Sequence, residues 1–216
     1  MPYYTYQSNS PMTRAIVANL IEEYNQKASY WSGSIFENVT HYSTDYKGKW
    51  GEQYLRDMIK EFTDIPVQWD GDCNTNPDDG TYDLYWYNSS GKKVRVEVKT
   101  SGRTVSKGTP KGWQHENVYF CGNKWYKLIF VDYDADDSVC FTILNYDDVV
   151  KEDSLDLRVI NMGYGHVRKN EQGKAKVDTH MKQRNAGIAS GVTFRYDYNN
   201  PQDELLGLFL INKLSN

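Results

Sequence analysis

Apolar and polar positions change rhythm several times along this chain. Over 13–31 (TRAIVANLIEEYNQKASYW), Ile16, Val17, Leu20, Ile21 and Tyr24 recur at helical spacing, and Thr13 stands where an N-cap is expected. A loop rich in Ser, Gly and Tyr follows. A second helix is expected over about 46–62, with Trp50, Tyr54, Leu55, Met58, Ile59 and Phe62 on one side. The stretch NTNPDDGT (74–81) is dense in turn formers. From Tyr82 to Thr100 the period becomes two, which predicts a hairpin turning near NSSGK. KWYKLIFVDYD (124–134) is a β-prone run expected as a central strand. SVCFTILNY (138–146) is a second, and the acidic turn DADD joins them. DVVKEDSLDL predicts a short helix or turn. Residues 161–200 show little periodicity and much Gly, Asn and charge, and DELLGLFLINKL (203–214) fits a short helix or a strand. No repeat or low-complexity linker divides the chain, so one α/β domain over 1–216 is expected. Its core would span about 46–146, with helix 13–31 and residues 150–216 as elaborations.

Composition narrows the class. A globular chain of 216 residues buries roughly 70% of its unfolded surface, so neither disulfide nor metal is required for folding. Cys73, Cys121 and Cys140 are odd in number and at no metal-ligand spacing, which reads as reduced thiols in a cytoplasmic protein. The start MPYYTYQSNSPMTR lacks the basic-then-apolar pattern of a signal peptide, and no run of about 18 apolar residues predicts a membrane span. Eighteen tyrosines and six tryptophans pair apolar bodies with polar tips, which suits surfaces that meet partners. A net charge of −4 argues against a polyanion held by overall charge. Bases nevertheless cluster twice: Arg103, Lys107, Lys111, Lys124 and Lys127, then Arg168, Lys169, Lys174, Lys176, Lys182 and Arg184. Each cluster reads either as solvated surface or as a face for phosphate groups, with Arg168 and Arg184 as candidates to grip guanine.

The candidate chemistry lies in the hairpin. Alternation puts Leu84 and Trp86 on one face and Asp83, Tyr85 and Tyr87 on the other. Val94, Val96 and Val98 point one way, and Arg95, Glu97 and Lys99 the other. Pairing the strands brings Asp83 near Glu97 and Lys99. Two carboxylates held close repel unless a positive group lies between them, and Mg²⁺ takes such oxygen ligands while keeping room for water and phosphate. The plain alternative is a surface hairpin with a cross-strand Asp–Lys pair, worth little. The four histidines, His41, His115, His166 and His180, fall at no zinc spacing. GYGHVRKNEQGKAK lacks the order of a phosphate-binding P-loop.

Asp83, then Glu97-Val98-Lys99 in a Val-rich strand, preceded by a helix carrying Glu52 and followed by a long β-prone strand, resembles the PD-(D/E)xK, or restriction-endonuclease-like, nuclease superfamily. Tyr82 stands where the family's name has proline. The resemblance implies a central mixed β-sheet flanked by helices. It implies Asp83, Glu97, Lys99, Glu52 and Gln114 as catalytic residues, and Asp83, Glu97 and the Val98 carbonyl as ligands of Mg²⁺, with Mn²⁺ as substitute. It further implies a 5′-phosphate and 3′-hydroxyl product, double-stranded DNA as substrate and a homodimer of the type II restriction kind. Arg103, Lys107, Lys111, Arg168, Lys169, Lys174, Lys176, Lys182 and Arg184 would contact DNA, and Trp113, Trp125 and Tyr164 would stack or wedge. A phage or repair nuclease reading DNA structure, or a DNA-binding module without catalysis, fits the same pattern.

Overall fold

The computed structural model describes residues 11–69, 82–119, 125–151, 154–156, 166–168 and 174–215. Helix α1 spans Pro11–Trp31. It starts two residues before the expected N-cap Thr13, on a proline whose fixed φ and missing N–H suit a first helical turn. A 3₁₀ turn, Glu37–His41, leads to α2, Thr44–Phe62. Ser43 caps α2, its hydroxyl accepting from the Tyr46 N–H at 3.4 Å. As the spacing predicts, Leu55 and Ile59 are fully buried, and Trp50, Tyr54, Met58 and Phe62 pack partly against the same core.

The strands follow as β1 Gln68–Trp69, β2 Leu84–Tyr87, β3 Lys93–Gly102, β4 Val105–Ser106, β5 Thr109–Pro110, β6 Trp113–Tyr119, β7 Lys127–Tyr133 and β8 Ser138–Asn145. The short helix α3, Tyr146–Val149, precedes β9 Val150–Lys151, β10 Ser154–Asp156, β11 His166–Arg168 and β12 Lys174–Thr179. Then come α4 Met181–Ala189, β13 Thr193–Asp197 and α5 Asp203–Leu214. A six-stranded mixed sheet runs β1-β2-β3-β7-β8-β13. Only β3 and β7 pair in parallel; the other neighbours are antiparallel. The predicted hairpin is β2–β3, and its turn is fixed by Asn88, whose Oδ1 accepts from the Ser90 and Lys92 N–H groups. Gly91 supplies the positive φ the turn needs.

Strands β7 and β8 are buried on both faces, as near-continuous apolar runs should be. Val96, Val98, Ile129, Val131, Phe141 and Ile143 meet Leu55, Ile59, Leu206, Leu210 and Leu214 on one side of the sheet. On the other, Leu128, Phe130 and Leu144 meet Val118, Ala175 and Val177 of the β6–β12 ribbon. The sheet therefore reaches beyond 46–146. β13 is its last strand, and the ambiguous run 203–214 is a helix packed on α2 and β13. No helix among the described residues is long and apolar enough to cross a membrane.

Candidate active site

Cross-strand register builds the site. Leu84 pairs with Val96, so Asp83 falls opposite Glu97. The Asp83 N–H donates to the Val96 carbonyl at 2.9 Å, and its carboxylate Oδ2 accepts from the Val98 N–H at 2.7 Å. Two residues on along β3, Lys99 Nζ lies 2.5 Å from Glu97 Oε1. Parallel pairing sets Glu97 beside Leu128, Lys99 beside Phe130 and Ser101 beside Asp132.

Glu52 reaches the same place from α2. A Cβ on the preceding Gly51 would stand 1.7 Å from Thr100 Oγ1, so only glycine lets the helix sit this close to β3. Trp69 Nε1 donates to Glu52 Oε2 at 2.9 Å and fixes the carboxylate. The opposite wall is β6, where Gln114 is exposed and its N–H donates to Ser101 Oγ at 3.2 Å. Glu52, Asp83, Val98, Lys99 and Gln114 thus line one cavity of about 510 Å³, with Glu97 buried behind Lys99.

The electrostatics are unbalanced toward negative charge. Burial, then the Glu97 and Glu52 carboxylates, hold Asp83 well above the usual carboxylate range, against the opposing pull of Lys99 and the Val98 N–H. Burial pulls Lys99 down, but Glu97 and Asp83 outweigh it, and its ammonium ends more firmly protonated than a free lysine. The donors are two carboxylates on the hairpin, a third nearby and a main-chain carbonyl. Among the described residues no group of three or more His, Cys, Asp or Glu is placed to hold a metal ion. The set suits a hard cation that keeps several waters, as Mg²⁺ does.

Behind Gln114 lies a buried trio that no spacing in the sequence announces. His115 Nε2 is 2.9 Å from Asp132 Oδ1, and Arg184 contacts Asp132 Oδ2. Arg184 also donates to Thr142 Oγ1 at 3.1 Å and Thr179 Oγ1 at 3.4 Å, and its guanidinium lies 4.6 Å from the Trp113 ring centroid. Burial, then the Arg184 and Lys99 charges, push His115 well below its ordinary pKa, so the imidazole is neutral. Burial pulls Arg184 down to about 9, which leaves the guanidinium charged at neutral pH. The trio therefore balances as one cation against one anion.

Arg184 is accordingly a core residue, its side chain 1% exposed, and not the guanine-gripping surface arginine its position in a basic run suggested. Lys127 is also buried, donating to Asn145 Oδ1 and the Lys213 carbonyl. Trp113 and Trp125 are buried as well, so neither stacks on a base from the surface. Arg103 is pinned to Asp134, Nη1 to Oδ2 at 2.8 Å. Lys107 and Lys111 are exposed in and beside the β4–β5 hairpin. In β12, which pairs with β6, Lys174 is half-buried and Lys176 exposed, 3.7 Å from Glu116. Lys182 is exposed on α4. For Arg168 the backbone alone, in β11, is described. Lys124, Tyr164, Lys169, Cys73, Cys121 and the turn 74–81 lie outside the described residues.

No protein-family model matches this chain, and no curated protein matches it. Among solved structures, the bacterial homing endonuclease I-Ssp6803I aligns with a TM-score of 0.37 and 16% identity, over 63% of this chain and 78% of that one.

Proposed function

We propose that this chain is a Mg²⁺-dependent endonuclease that hydrolyses phosphodiester bonds of double-stranded DNA, of the sequence-specific type II restriction kind. The observation that carries the reading is the convergence of Asp83, Glu97 and Lys99 from two paired strands, with Glu52 and Gln114 closing on the same cavity. Asp83, Glu97 and the Val98 carbonyl would hold the cation. Mn²⁺ offers the same oxygen-seeking charge. The bound cation supplies positive charge to the scissile phosphate and acidity to a water. The residues' own parts follow from their partners. The Val98 N–H occupies Asp83 Oδ2 and Trp69 occupies Glu52 Oε2, so each carboxylate is oriented with its other oxygen left to act. Lys99, held protonated by Glu97, is a poor base and a good donor. It orients the attacking water and meets charge building on the phosphate. Gln114 lines the same cavity from the facing wall. The products would carry a 5′-phosphate and a 3′-hydroxyl.

A homodimer belongs to the same reading. Its support is α1, where Met12, Ile16, Val17, Leu20, Ile21 and Tyr24 all stand exposed and Leu20 keeps 60% of its surface. A helix turning six large apolar side chains to water is suited to an isologous two-fold contact. Light scattering on a size-exclusion column is expected to give a dimer, and a monomer for Ile16→Glu/Leu20→Glu.

The catalytic test is direct. Purified protein with mixed plasmid and phage DNA plus Mg²⁺ should give discrete bands; a smear would indicate a nuclease without sequence preference. Asp83→Ala and Glu97→Ala should each abolish cleavage while duplex binding persists. Full cleavage by either variant, or binding without any cleavage by the natural protein, would remove the catalytic assignment.

A further inference from the structure

A second cavity, of about 350 Å³, opens beside the carboxylate cavity and has the opposite character. Three cations line it, each from a different element: Lys27 of α1, Lys47 of α2, and Arg103 just past β3. Among the described residues no carboxylate lines it, and neither Lys27 nor Lys47 has an ion pair. Asp134 balances Arg103, and the two lysines leave the cavity short of negative charge. Arg103 is held in place by Asp134, which also accepts from the Tyr30 hydroxyl. Its guanidinium lies 5.1 Å from the Trp113 ring centroid. That anchoring leaves its buried Nε without a hydrogen-bond partner. Thr44, Ser101 and Thr104 line both this cavity and the carboxylate cavity, the last two with hydroxyls that donate to the Gly102 and Gly112 carbonyls.

We propose that this basic cavity is a phosphate subsite, seating a nucleic-acid backbone phosphate adjacent to the one processed between Asp83, Glu97 and Lys99. Cations are the usual partners of phosphate oxygens, and the Thr44 hydroxyl stands beside them. The shared Thr44, Ser101 and Thr104 make the two cavities neighbours along one path, so a strand entering one is delivered to the other. Burial, then the Lys27 charge, depress the Lys47 pKa, a cost that a bound phosphate would relieve. The division of labour rests on the nuclease reading: negative residues for the cation and chemistry, positive residues for the flanking phosphate.

The experiment separates the two ideas by measuring binding without chemistry. Full-length protein in EDTA is titrated against a fluorescent duplex across several salt concentrations. Lys27→Ala, Lys47→Met and the double variant are compared with Lys60→Ala, an exposed control on α2 outside both cavities. Because the cavity seats one phosphate, the double variant should reduce the slope of log affinity against log salt by about 0.9, and each single variant by less. Lys60→Ala should match the natural protein. Equal affinity and slope in all four would overturn the subsite even if cleavage is intact. If the natural protein binds duplex in Ca²⁺ but not in EDTA, the subsite is overturned; if it binds in neither, the nuclease reading falls, and inorganic phosphate becomes the probe. A thermal shift with phosphate that the double variant loses would support the subsite with free phosphate as its ligand. No shift would overturn the subsite too.

Discussion

Replacing Arg184 with alanine should destabilise the protein severely while leaving DNA affinity alone. Arg184 is 1% exposed, its partner Asp132 is fully buried, and His115 on the other carboxylate oxygen is neutral. The substitution strands a buried carboxylate, and breaking a buried pair in this way costs about 3–5 kcal/mol. The bonds to Thr142 and Thr179 and the stacking on Trp113 go with it. For a domain of this size each kcal/mol shifts the melting temperature by roughly 2–4 °C, so a fall of about 10 °C is expected by calorimetry. The pH dependence adds a signature. Without Arg184, His115 loses one of the charges that repel its proton, while burial and Lys99 still hold its pKa down. The variant's His115 therefore takes up a proton at higher pH than the natural protein's, and the deficit should shrink in acid and stay level at and above neutral pH. Arg184→Ala/Asp132→Asn should recover part of the loss, because no orphaned charge remains. A cost below about 1 kcal/mol for Arg184→Ala, or a deficit independent of pH, would refute the buried trio. A large loss of duplex affinity in folded protein would return Arg184 to the DNA interface.

Other outcomes follow from individual side chains. Asp83, held above the usual carboxylate range, contributes stability that is full in acid and lost as pH rises through its folded pKa. A proton there competes with Mg²⁺, so calorimetric Mg²⁺ affinity should fall as pH falls through that raised range, and Asp83→Asn should lose the dependence. Gly51→Ala drives a Cβ into Thr100, so it should lower the urea midpoint and, by displacing Glu52, weaken Mg²⁺ binding. Leu55→Ala, at a fully buried position against the sheet, should cost about 2–5 kcal/mol in urea unfolding without altering the salt slope of DNA binding. Burial pushes the Cys140 thiol up to about 12, so peptide-resolved thiol labelling at pH 8 should miss it in native protein and reach it in urea.

The hairpin was legible in the sequence because its signals are local: period-two alternation, a turn that Asn88 and Gly91 enforce, and a Val-rich partner strand. The α2 face was legible for the same reason. What escaped depends on pairing between distant segments. Thr193–Asp197 joins the sheet through β8, and its side chains alternate too briefly to announce a strand. Arg184 reads as one more base in a basic run, because its partner Asp132 lies 52 positions away. His115 and Gln114 sit side by side in sequence and both line the cavity, yet strand alternation buries the first and leaves the second exposed. Lys27 and Lys47 carry no sequence signal, since neither belongs to a charge cluster and their convergence is set by how α1 and α2 meet β3.

The two cavities explain why a chain of net charge −4 can be read as acting on a polyanion. Glu52, Asp83 and Glu116 line the carboxylate cavity beside one lysine, with Glu97 buried behind it, so that cavity alone disfavours phosphate. On the proposed reading a divalent cation there would change the sign of the local field, while Lys27 and Lys47 hold a positive field without one. Binding and chemistry would then be governed by different residues: duplex affinity in EDTA would depend on the basic cavity, and Mg²⁺ would add an interaction at the scissile phosphate. The buried pair of Arg184 and Asp132 serves neither field directly. It adds no net charge, and by tying α4 to β7 behind His115 it fixes the β6 wall from which Gln114 faces the carboxylates.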